Sequence, residues 1–207
     1  MDLQFHGANC VSLTYKGQRV VIDDNLAELG AKGVLKADDV ALFTSRHEAD
    51  QPARLVLDSA GEYEVADISI VGLSSQAHTE EKGLKGATMF KLVIGDVRVL
   101  VTGHIYPELK ESQLEDIGIV DVLVVPVGGN GYTVDPVGAL KLIKDIEPKL
   151  IIPTHYNDKA LKFPVPQQEL AQALKELGME PKETTAKLKL KPGELTDVTQ
   201  LVVVEKS

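Results

Sequence analysis

Four of the five histidines in this chain lie at or beside the ends of β-rich stretches, and these are His47, His78, His104 and His155. Neutral imidazole is the commonest metal ligand in proteins, and three or four such groups with a carboxylate could hold zinc. Strand ends suit this purpose because a rigid sheet can hold side chains together over a cleft. The alternative is that these are unrelated loop histidines. Their spacing fits no short metal-binding motif, so spacing alone favours that alternative.

The elements that would position these histidines begin with a series of short strands. Runs of β-branched and aliphatic residues separated by turns predict strands at 11–15, 19–22, 40–44, 55–57, 68–73, 89–94 and 97–102. The Gly95-Asp96 pair predicts a tight hairpin turn between the last two. The N-terminal half is therefore predicted to be a β-meander.

The C-terminal half alternates strands with helices. The almost continuous apolar stretch at 120–127 predicts a strand that is buried on both faces. Asp135-Pro136 predicts a helix start, because a capping residue is followed by proline in the first turn. The apolar spacing then predicts helices at about 137–146 and 170–177, the second ending at Gly178, and strands at 150–152 and 201–204. This order predicts one layered domain over residues 1–207.

Composition excludes several classes of function. No stretch approaches the ~20 apolar residues that cross a bilayer, and the first residues do not form a secretory signal, so we expect a cytoplasmic protein.

The chain has a single cysteine, Cys10, which excludes an intrachain disulfide and a zinc site built from cysteines. We expect Cys10 to be a small buried apolar residue. The net charge of −9, without a basic cluster, argues against nucleic acid as a partner.

Several segments resemble the metallo-β-lactamase superfamily, in particular the branch that contains L-ascorbate-6-phosphate lactonase. The early strand that ends at Asp23 is similar to a family strand with an acidic end, and residues 58–65 are similar to a Ser-Pro-Gly-Glu-Tyr segment of that branch. Val125-Pro126-Val127-Gly128-Gly129, followed by Tyr132-Thr133, also matches the branch. The resemblance implies an α+β fold, the four-layer αββα sandwich of the metallo-β-lactamases.

The family's first metal motif, Thr-His-x-His-x-Asp-His, falls on residues 44–50 and is incomplete. His47 matches one of its three histidines, whereas Ser45 and Asp50 replace the other two. Ala49 replaces the aspartate that binds metal and orients water in active members.

The later ligand positions are only partly retained. His78 resembles the next ligand and His155 the final one, whereas His104 takes the place of the aspartate that bridges two metal ions. Ala8 stands where the branch often has another histidine, and His6 matches no ligand position and is expected to be a strand-end side chain.

These departures imply a reduced metal site. An imidazole cannot bridge two ions as a carboxylate does, so the resemblance implies one zinc ion at most, held chiefly by His47, His78 and His104 with His155 nearby. Asp50 and His155 are candidates for a general base, a partner of the ligands, or ligands. The glycine-rich segment 128–131 is either an anion-binding nest or a turn that requires positive φ.

Two functions remain open at this stage. The first is a metal-dependent hydrolase of a small ester, lactone or phosphorylated metabolite, with little β-lactamase or nuclease activity. The second is a catalytically inactive member of the fold that binds a ligand or a protein partner, which Ser45, Ala49 and His104 favour. The sequence leaves open whether the chain is an enzyme. A small molecule is the expected partner, a membrane is not, and association with further copies of the chain is left open.

Overall fold

The computed structural model of the protein describes residues 1–47, 50–79, 86–191 and 193–207. Within these ranges the chain forms two β-sheets and three α-helices. The strands are β1 (Asp2–Gly7), β2 (Cys10–Tyr15), β3 (Gln18–Ile22), β4 (Val40–Leu42), β5 (Leu55–Leu57), β6 (Gly61–Val65), β7 (Ile68–Ser75), β8 (Ala87–Ile94), β9 (Val97–Val101), β10 (Val122–Pro126), β11 (Leu150–Thr154), β12 (Glu183–Thr185), β13 (Leu188–Lys189) and β14 (Gln200–Val204). The helices are α1 (Glu111–Ile117), α2 (Pro136–Ile146) and α3 (Leu170–Leu177).

The two sheets have mixed strand directions. The first has the order β13-β1-β2-β3-β4-β5 and the second the order β12-β14-β11-β10-β9-β8-β7-β6. In the first sheet β3, β4 and β5 are parallel to one another, and in the second β9, β10, β11 and β14 are parallel. The carboxyl ends of the strands in each parallel group therefore lie at one edge of their sheet.

The alternation of side chains along the strands builds two apolar layers. In β10, Val122 and Val124 belong to the core between the sheets, whereas Leu123 and Val125 pack in the layer beneath the helices. All four are fully buried. A buried aliphatic side chain of this size contributes about 1.5–3 kcal/mol, which is why this strand is apolar at every position.

The helices pack on the outer face of the second sheet. Asp135 caps α2 by accepting a hydrogen bond from the Gly138 amide at 2.7 Å, and Gly178 ends α3 in the left-handed conformation. The outer face of the first sheet is covered differently, because Leu26, Leu29 and Leu161 from loops pack over Cys10 and Val21. In the described part of the chain, helices therefore cover one outer face of the sandwich and loops cover the other.

The structure confirms the predicted α+β fold with two packed sheets and most of the predicted elements, but among the described residues loops take the place of the second outer helical layer of an αββα sandwich. The strand at 55–57 and the helix at 170–177 have the predicted bounds, and α2 begins one residue earlier than predicted. The prediction omitted β1, β6, β12, β13 and α1. Two of these, β12 and β13, have three residues or fewer and depend on pairing with strands far away in sequence, so no local pattern marks them.

Cys10 is fully buried among apolar side chains, as predicted. Across the described ranges, no helix has the length and apolar character needed to cross a membrane.

Candidate functional site

Strand ends and the loops that follow them place five side chains at one pocket between the two sheets. From the second sheet come His104, beyond the end of β9, and His155, directly after β11. From the first sheet come Asp23, directly after β3, and Asn9, beyond the end of β1. Tyr132 reaches the pocket from the loop that follows β10. The site is therefore assembled by the strand topology, across a sequence separation that no short motif spans.

The pocket is small and carries acidic side chains. It is lined by Ala8, Asn9, Asp23, Asn25, Glu28, Leu29, His104, Tyr132 and His155, and its volume is about 50 Å³. A cavity of this size holds water molecules, whereas pockets for whole metabolites are usually ~300 Å³ or more. A substrate could enter only with its reacting group unless the surrounding loops move.

Three residues of the pocket have strained backbones. Ala8, Asp23 and His155 all have φ between 49° and 56°, in the left-handed region that residues other than glycine rarely adopt. They are three of the seven such residues in the described chain. Strain of this kind costs about 1–3 kcal/mol per residue and persists where the surroundings over-determine the conformation, most often at functional sites.

Buried hydrogen bonds that involve Asp23 and Asn9 link the two sheets at the pocket. The Asp23 carboxylate accepts hydrogen bonds from the Thr44 amide at 2.7 Å, the Thr44 hydroxyl at 2.6 Å and the Asn9 side chain at 2.5 Å. Asn9 in turn accepts a hydrogen bond from the Thr154 hydroxyl at 2.7 Å. All these side chains are buried. Because Asp23 has three donors around its two oxygens, its lone pairs are largely used within the protein.

The two pocket histidines lie in direct contact. The rings of His104 and His155 meet edge to face, with their centroids 4.7 Å apart. His155 is 2% exposed, and its amide donates a hydrogen bond to the Ala8 carbonyl at 2.7 Å. Its Nδ1 lies 3.1 Å from Oε1 of Gln167. The ring of His104 also meets the ring of Tyr132 edge to face, with their centroids 5.6 Å apart.

Both imidazoles are neutral at physiological pH. Burial, reinforced by the neighbouring His104, lowers the pKa of His155 to about 3. Burial also lowers the pKa of His104, although the charge of Asp23 and the hydrogen bond to Tyr132 oppose this shift. Burial and the charge of Glu28 raise the pKa of Tyr132, so its phenol stays protonated. The pocket thus offers two neutral imidazoles and a hydroxyl donor.

His78 lies beside this pair. Its amide donates a hydrogen bond to the His104 carbonyl at 2.8 Å, and its ring lies 6.4 Å from that of Tyr106. Its Nδ1 is buried and has no hydrogen-bond partner in the described part of the chain. The structure therefore brings His78, His104 and His155 to the same edge, although His78 does not line the pocket.

The remaining candidates from the first metal motif are placed elsewhere. The ring of His47 stacks on Phe43 with 4.0 Å between centroids, and its Nε2 is bonded to the Gln51 side chain. Asp50 is exposed and does not line the pocket. Ala49 lies outside the described residues. His6, as predicted, belongs to a strand and lies apart from the pocket, where its ring bonds to Ser12 and Ser207.

The glycine-rich segment forms a turn. Gly129, Asn130 and Gly131 all have positive φ, and the amides of Tyr132 and Thr133 bond to the Gly129 carbonyl within the loop. The interpretation as a turn is therefore supported over an anion-binding nest, whose amides would have to point outward. The turn places Tyr132 against the two histidines.

The donor set does not fit a metal site with three protein ligands. Among the described residues, no group of three or more His, Cys, Asp or Glu side chains is arranged to hold a metal ion. The predicted ligands His47, His78 and His104 are thus not assembled as one group. His104 and His155 supply two ring nitrogens, while the neighbouring carboxylate of Asp23 is engaged by Thr44 and Asn9. Catalytic zinc normally has three protein ligands.

Sequence reasoning did not identify Asn9, Thr44, Thr154 or Gln167 as contributors to the site. Asn9, Thr44 and Thr154 are uncharged polar residues at or just beyond strand ends, a feature shared by many residues without function. Gln167 lies twelve residues after His155 in a proline-containing loop, and nothing in the local pattern signals that its side chain returns to the histidine. Asp23 was noted as the acidic end of a strand, but its partners could not be inferred.

Relatives with curated descriptions match parts of the chain. A protein described as a UPF0173 metal-dependent hydrolase from Carboxydothermus hydrogenoformans is 40% identical over 68 residues, which is 33% of this chain and 30% of the relative. One with the same description from Archaeoglobus fulgidus is 31% identical over 105 residues, or 51% of this chain and 43% of the relative. The chain thus spans less than half the length of the curated relatives that it matches here.

Solved structures and a family model cover more of the chain. A Thermotoga maritima protein, described as a Zn-dependent hydrolase of the metallo-β-lactamase superfamily, has a TM-score of 0.75 and 27% identity, covering 98% of this chain and 97% of its own. The metallo-β-lactamase fold protein YhfI from Bacillus subtilis has a TM-score of 0.61 and 10% identity, covering 100% and 96%, and so shows the fold alone. The model of the β-lactamase superfamily domain matches residues 2–155. With its sandwich of two sheets and its site at the strand ends, this chain belongs to the β-lactamase superfamily.

Proposed function

We propose that this protein is a hydrolase of a small ester, lactone or phosphorylated metabolite, and that the reaction takes place at the pocket of His104 and His155. The observation that carries the proposal is the strained backbone of Ala8, Asp23 and His155 around one pocket. Conformations of this kind cluster at active sites and ligand-binding sites, where the surrounding structure holds them in place. The curated relatives, which are described as metal-dependent hydrolases, support the same class of reaction.

His155 is the proposed general base. Its neutral ring has an unprotonated nitrogen that can accept a proton from a water molecule attacking a carbonyl carbon, although its lowered pKa makes it a weaker base than a free imidazole. Tyr132 lines the same pocket with a protonated hydroxyl, which can donate a hydrogen bond to the substrate oxygen. Asp23 holds Thr44 and Asn9 in place at the pocket by accepting hydrogen bonds from both.

The charges around the pocket favour an uncharged group over a phosphorylated one. Asp23 and Glu28 are acidic, the two histidines are neutral, and no lysine or arginine is among the described residues that line the pocket. Phosphate groups are normally held by cationic side chains, backbone amides or a metal ion. Within the proposed class we therefore favour an ester or a lactone.

The curated relatives are described as metal-dependent hydrolases, so the proposal includes a bound metal ion. We propose that any ion held here is single, with zinc as the expected metal, because the pocket offers two imidazole nitrogens and lacks a free bridging carboxylate. The base role assigned to His155 applies to the metal-free pocket, because an ion on the same ring nitrogen would occupy the lone pair that accepts the proton.

The second candidate function is ligand binding without catalysis. Two observations favour it, namely the small volume of the pocket and the absence, within the described residues, of a three-ligand metal group. An inactive member of the family would keep the fold and the cleft while its catalytic groups diverge.

Turnover by the purified protein distinguishes the two functions. The substrates would be chromogenic short-chain esters, small lactones and p-nitrophenyl phosphate, each assayed with EDTA, without additions and with zinc. We expect hydrolysis of an ester or lactone that falls at least 100-fold in H155A and is retained in H47A, whose histidine lies outside the pocket. A protein that turns over nothing in any of the three conditions, or an H155A variant as active as the wild type, would contradict the proposal.

A further inference from the structure

The orientation of the Gln167 side chain determines which nitrogen of His155 carries the proton. The Nε2 of Gln167 donates a hydrogen bond to the Val165 carbonyl at 2.9 Å. This bond fixes the amide, so the atom that faces the histidine is the oxygen Oε1, 3.1 Å from Nδ1 of His155. An amide oxygen can only accept a hydrogen bond. In the neutral ring Nδ1 must therefore carry the hydrogen, which leaves Nε2 with its lone pair.

The remaining nitrogen belongs to the pocket. His155 lines the pocket whereas Gln167 does not, so Nδ1 is used for the contact with Gln167 outside the pocket lining and Nε2 is the ring nitrogen left for a molecule inside. With the opposite tautomer the same ring would present a hydrogen and could not accept a proton. The preference for one tautomer thus decides whether His155 is a base or a donor.

Gly128 provides the space that this contact requires. A Cβ atom at Gly128 would lie 2.0 Å from the His155 carbonyl oxygen and 2.2 Å from Oε1 of Gln167. Its φ is not positive, so glycine is needed here for close approach and not for conformation. The Gly128 carbonyl also accepts a hydrogen bond from the Gln168 amide at 2.9 Å, which holds the Gln167 segment against the strand end.

We propose that Gln167 is a positioning residue that fixes His155 as the Nδ1-protonated tautomer, with Nε2 as the acceptor in the pocket. Both side chains are at least nine-tenths buried, so water does not compete for the bond. Two hydrogen bonds in series set the tautomer. The bond to the Val165 carbonyl orients the Gln167 amide, and the Gln167 oxygen then accepts the hydrogen on Nδ1 of His155. The catalytic consequence rests on the proposed function of His155, whereas the tautomer itself does not.

The tautomer can be measured directly in the full chain. Two-bond ¹H–¹⁵N correlation spectra of ¹⁵N-labelled protein at pH 7 distinguish a protonated Nδ1 from a protonated Nε2. We expect His155 to be Nδ1-protonated in the wild type and to lose this preference in Q167L. Q168L is the matched control, because Gln168 bonds to the exposed Glu176, and it should leave the spectrum unchanged.

Kinetics provide the second measurement. On an ester substrate, Q167L should lower kcat at least tenfold with little change in KM, whereas Q168L should leave both unchanged. A wild-type His155 protonated at Nε2, or a Q167L spectrum identical to that of the wild type, would overturn the inference. If the wild type shows the expected tautomer but hydrolyses no substrate, the positioning role of Gln167 stands and the proposed hydrolase function fails.

Discussion

The ring of His104 stands perpendicular to the ring of His155, with an angle of 90° between their planes and 4.7 Å between their centroids. Two imidazolium cations at this distance would repel each other strongly in a buried pocket. The pair is compatible with neutral rings, which agrees with the lowered pKa of each histidine. The contact therefore gives the pocket two uncharged acceptors instead of a positive charge.

Mild acid is expected to destabilise the protein through its buried histidines. Burial, with the charge of Arg19, lowers the pKa of His6 to about 4, although Asp24 opposes the shift, and the pKa of His155 is about 3. An unfolded histidine titrates near 6.5. As the pH falls below 6.5 the unfolded state takes up protons before the folded state does, so the free energy of unfolding decreases from that pH downward.

Urea unfolding at pH 7, 6, 5.5 and 4.5 would measure this effect. Each pKa unit corresponds to about 1.4 kcal/mol, so His6 contributes up to about 3 kcal/mol of the loss when the pH reaches its folded value. H6Q should reduce the slope between pH 6.5 and 4.5. Burial would raise the pKa of Asp121, but hydrogen bonds from Arg98 lower it below its usual value. This carboxylate therefore affects stability only at a pH below the range from 6.5 to 4.5. A free energy of unfolding that is constant from pH 7 to 4.5 would refute the prediction.

G128A tests the close approach of Gln167. The added methyl group would overlap the Gln167 amide and the His155 carbonyl, so we expect a loss of about 2–4 kcal/mol of stability, within the range for overpacking and a broken buried hydrogen bond.

The control for G128A is G131A, where nothing lies within 4 Å of the new atom but φ is +73°. It should cost about 1 kcal/mol from strain alone and leave the His155 tautomer unchanged. Equal thermal stabilities for the two variants would show that Gly128 is not required for space.

The layered fold could be predicted from the sequence because the patterns that indicate its strands and helices are local. The apolar strand at 120–127, the Asp135-Pro136 helix start and Gly178 at the end of a helix each follow from a few neighbouring residues. Four of the five strands and helices that were omitted are short or depend on remote pairing. β1 is the exception, since Leu3 and Phe5 alternate with polar residues as an amphipathic strand requires, and both are buried.

The site was accessible only in part, because its contacts are remote in sequence. His104 and His155 were identified from their positions after strands and from family resemblance, and the structure brings them into contact. His47 was expected beside them on the basis of one motif, but the structure stacks it on Phe43. The link from Thr154 through Asn9 to Asp23 joins residues up to 145 positions apart, and hydrogen bonds of that kind leave no periodic pattern.

Zinc titration of the apoprotein should reveal no more than one bound equivalent. The two ring nitrogens of His104 and His155 can contribute to one ion, while Asp23 is engaged by its own donors and cannot bridge to a second. Calorimetry with counted metal content would measure the stoichiometry, and H47A should not change it. Two tight equivalents, or one that survives the double substitution H104A/H155A, would contradict this assignment.

D23N tests whether the bonds around Asp23 support the pocket as well as the fold. An asparagine offers one acceptor oxygen in place of two, so at least one of the donors from Thr44 and Asn9 would face an amide group, and we expect a loss of about 2–4 kcal/mol. The matched control is D39N, because Asp39 is equally buried and bonded to Arg19 and the Lys36 amide but does not line the pocket.

Urea unfolding and ester turnover would be measured for both D23N and D39N. We expect similar losses of stability but a fall in turnover, by at least tenfold, in D23N alone, because Asp23 links Asn9 and Thr44 at the pocket and its charge acts on His104. Equal turnover in the two variants would limit Asp23 to a structural role.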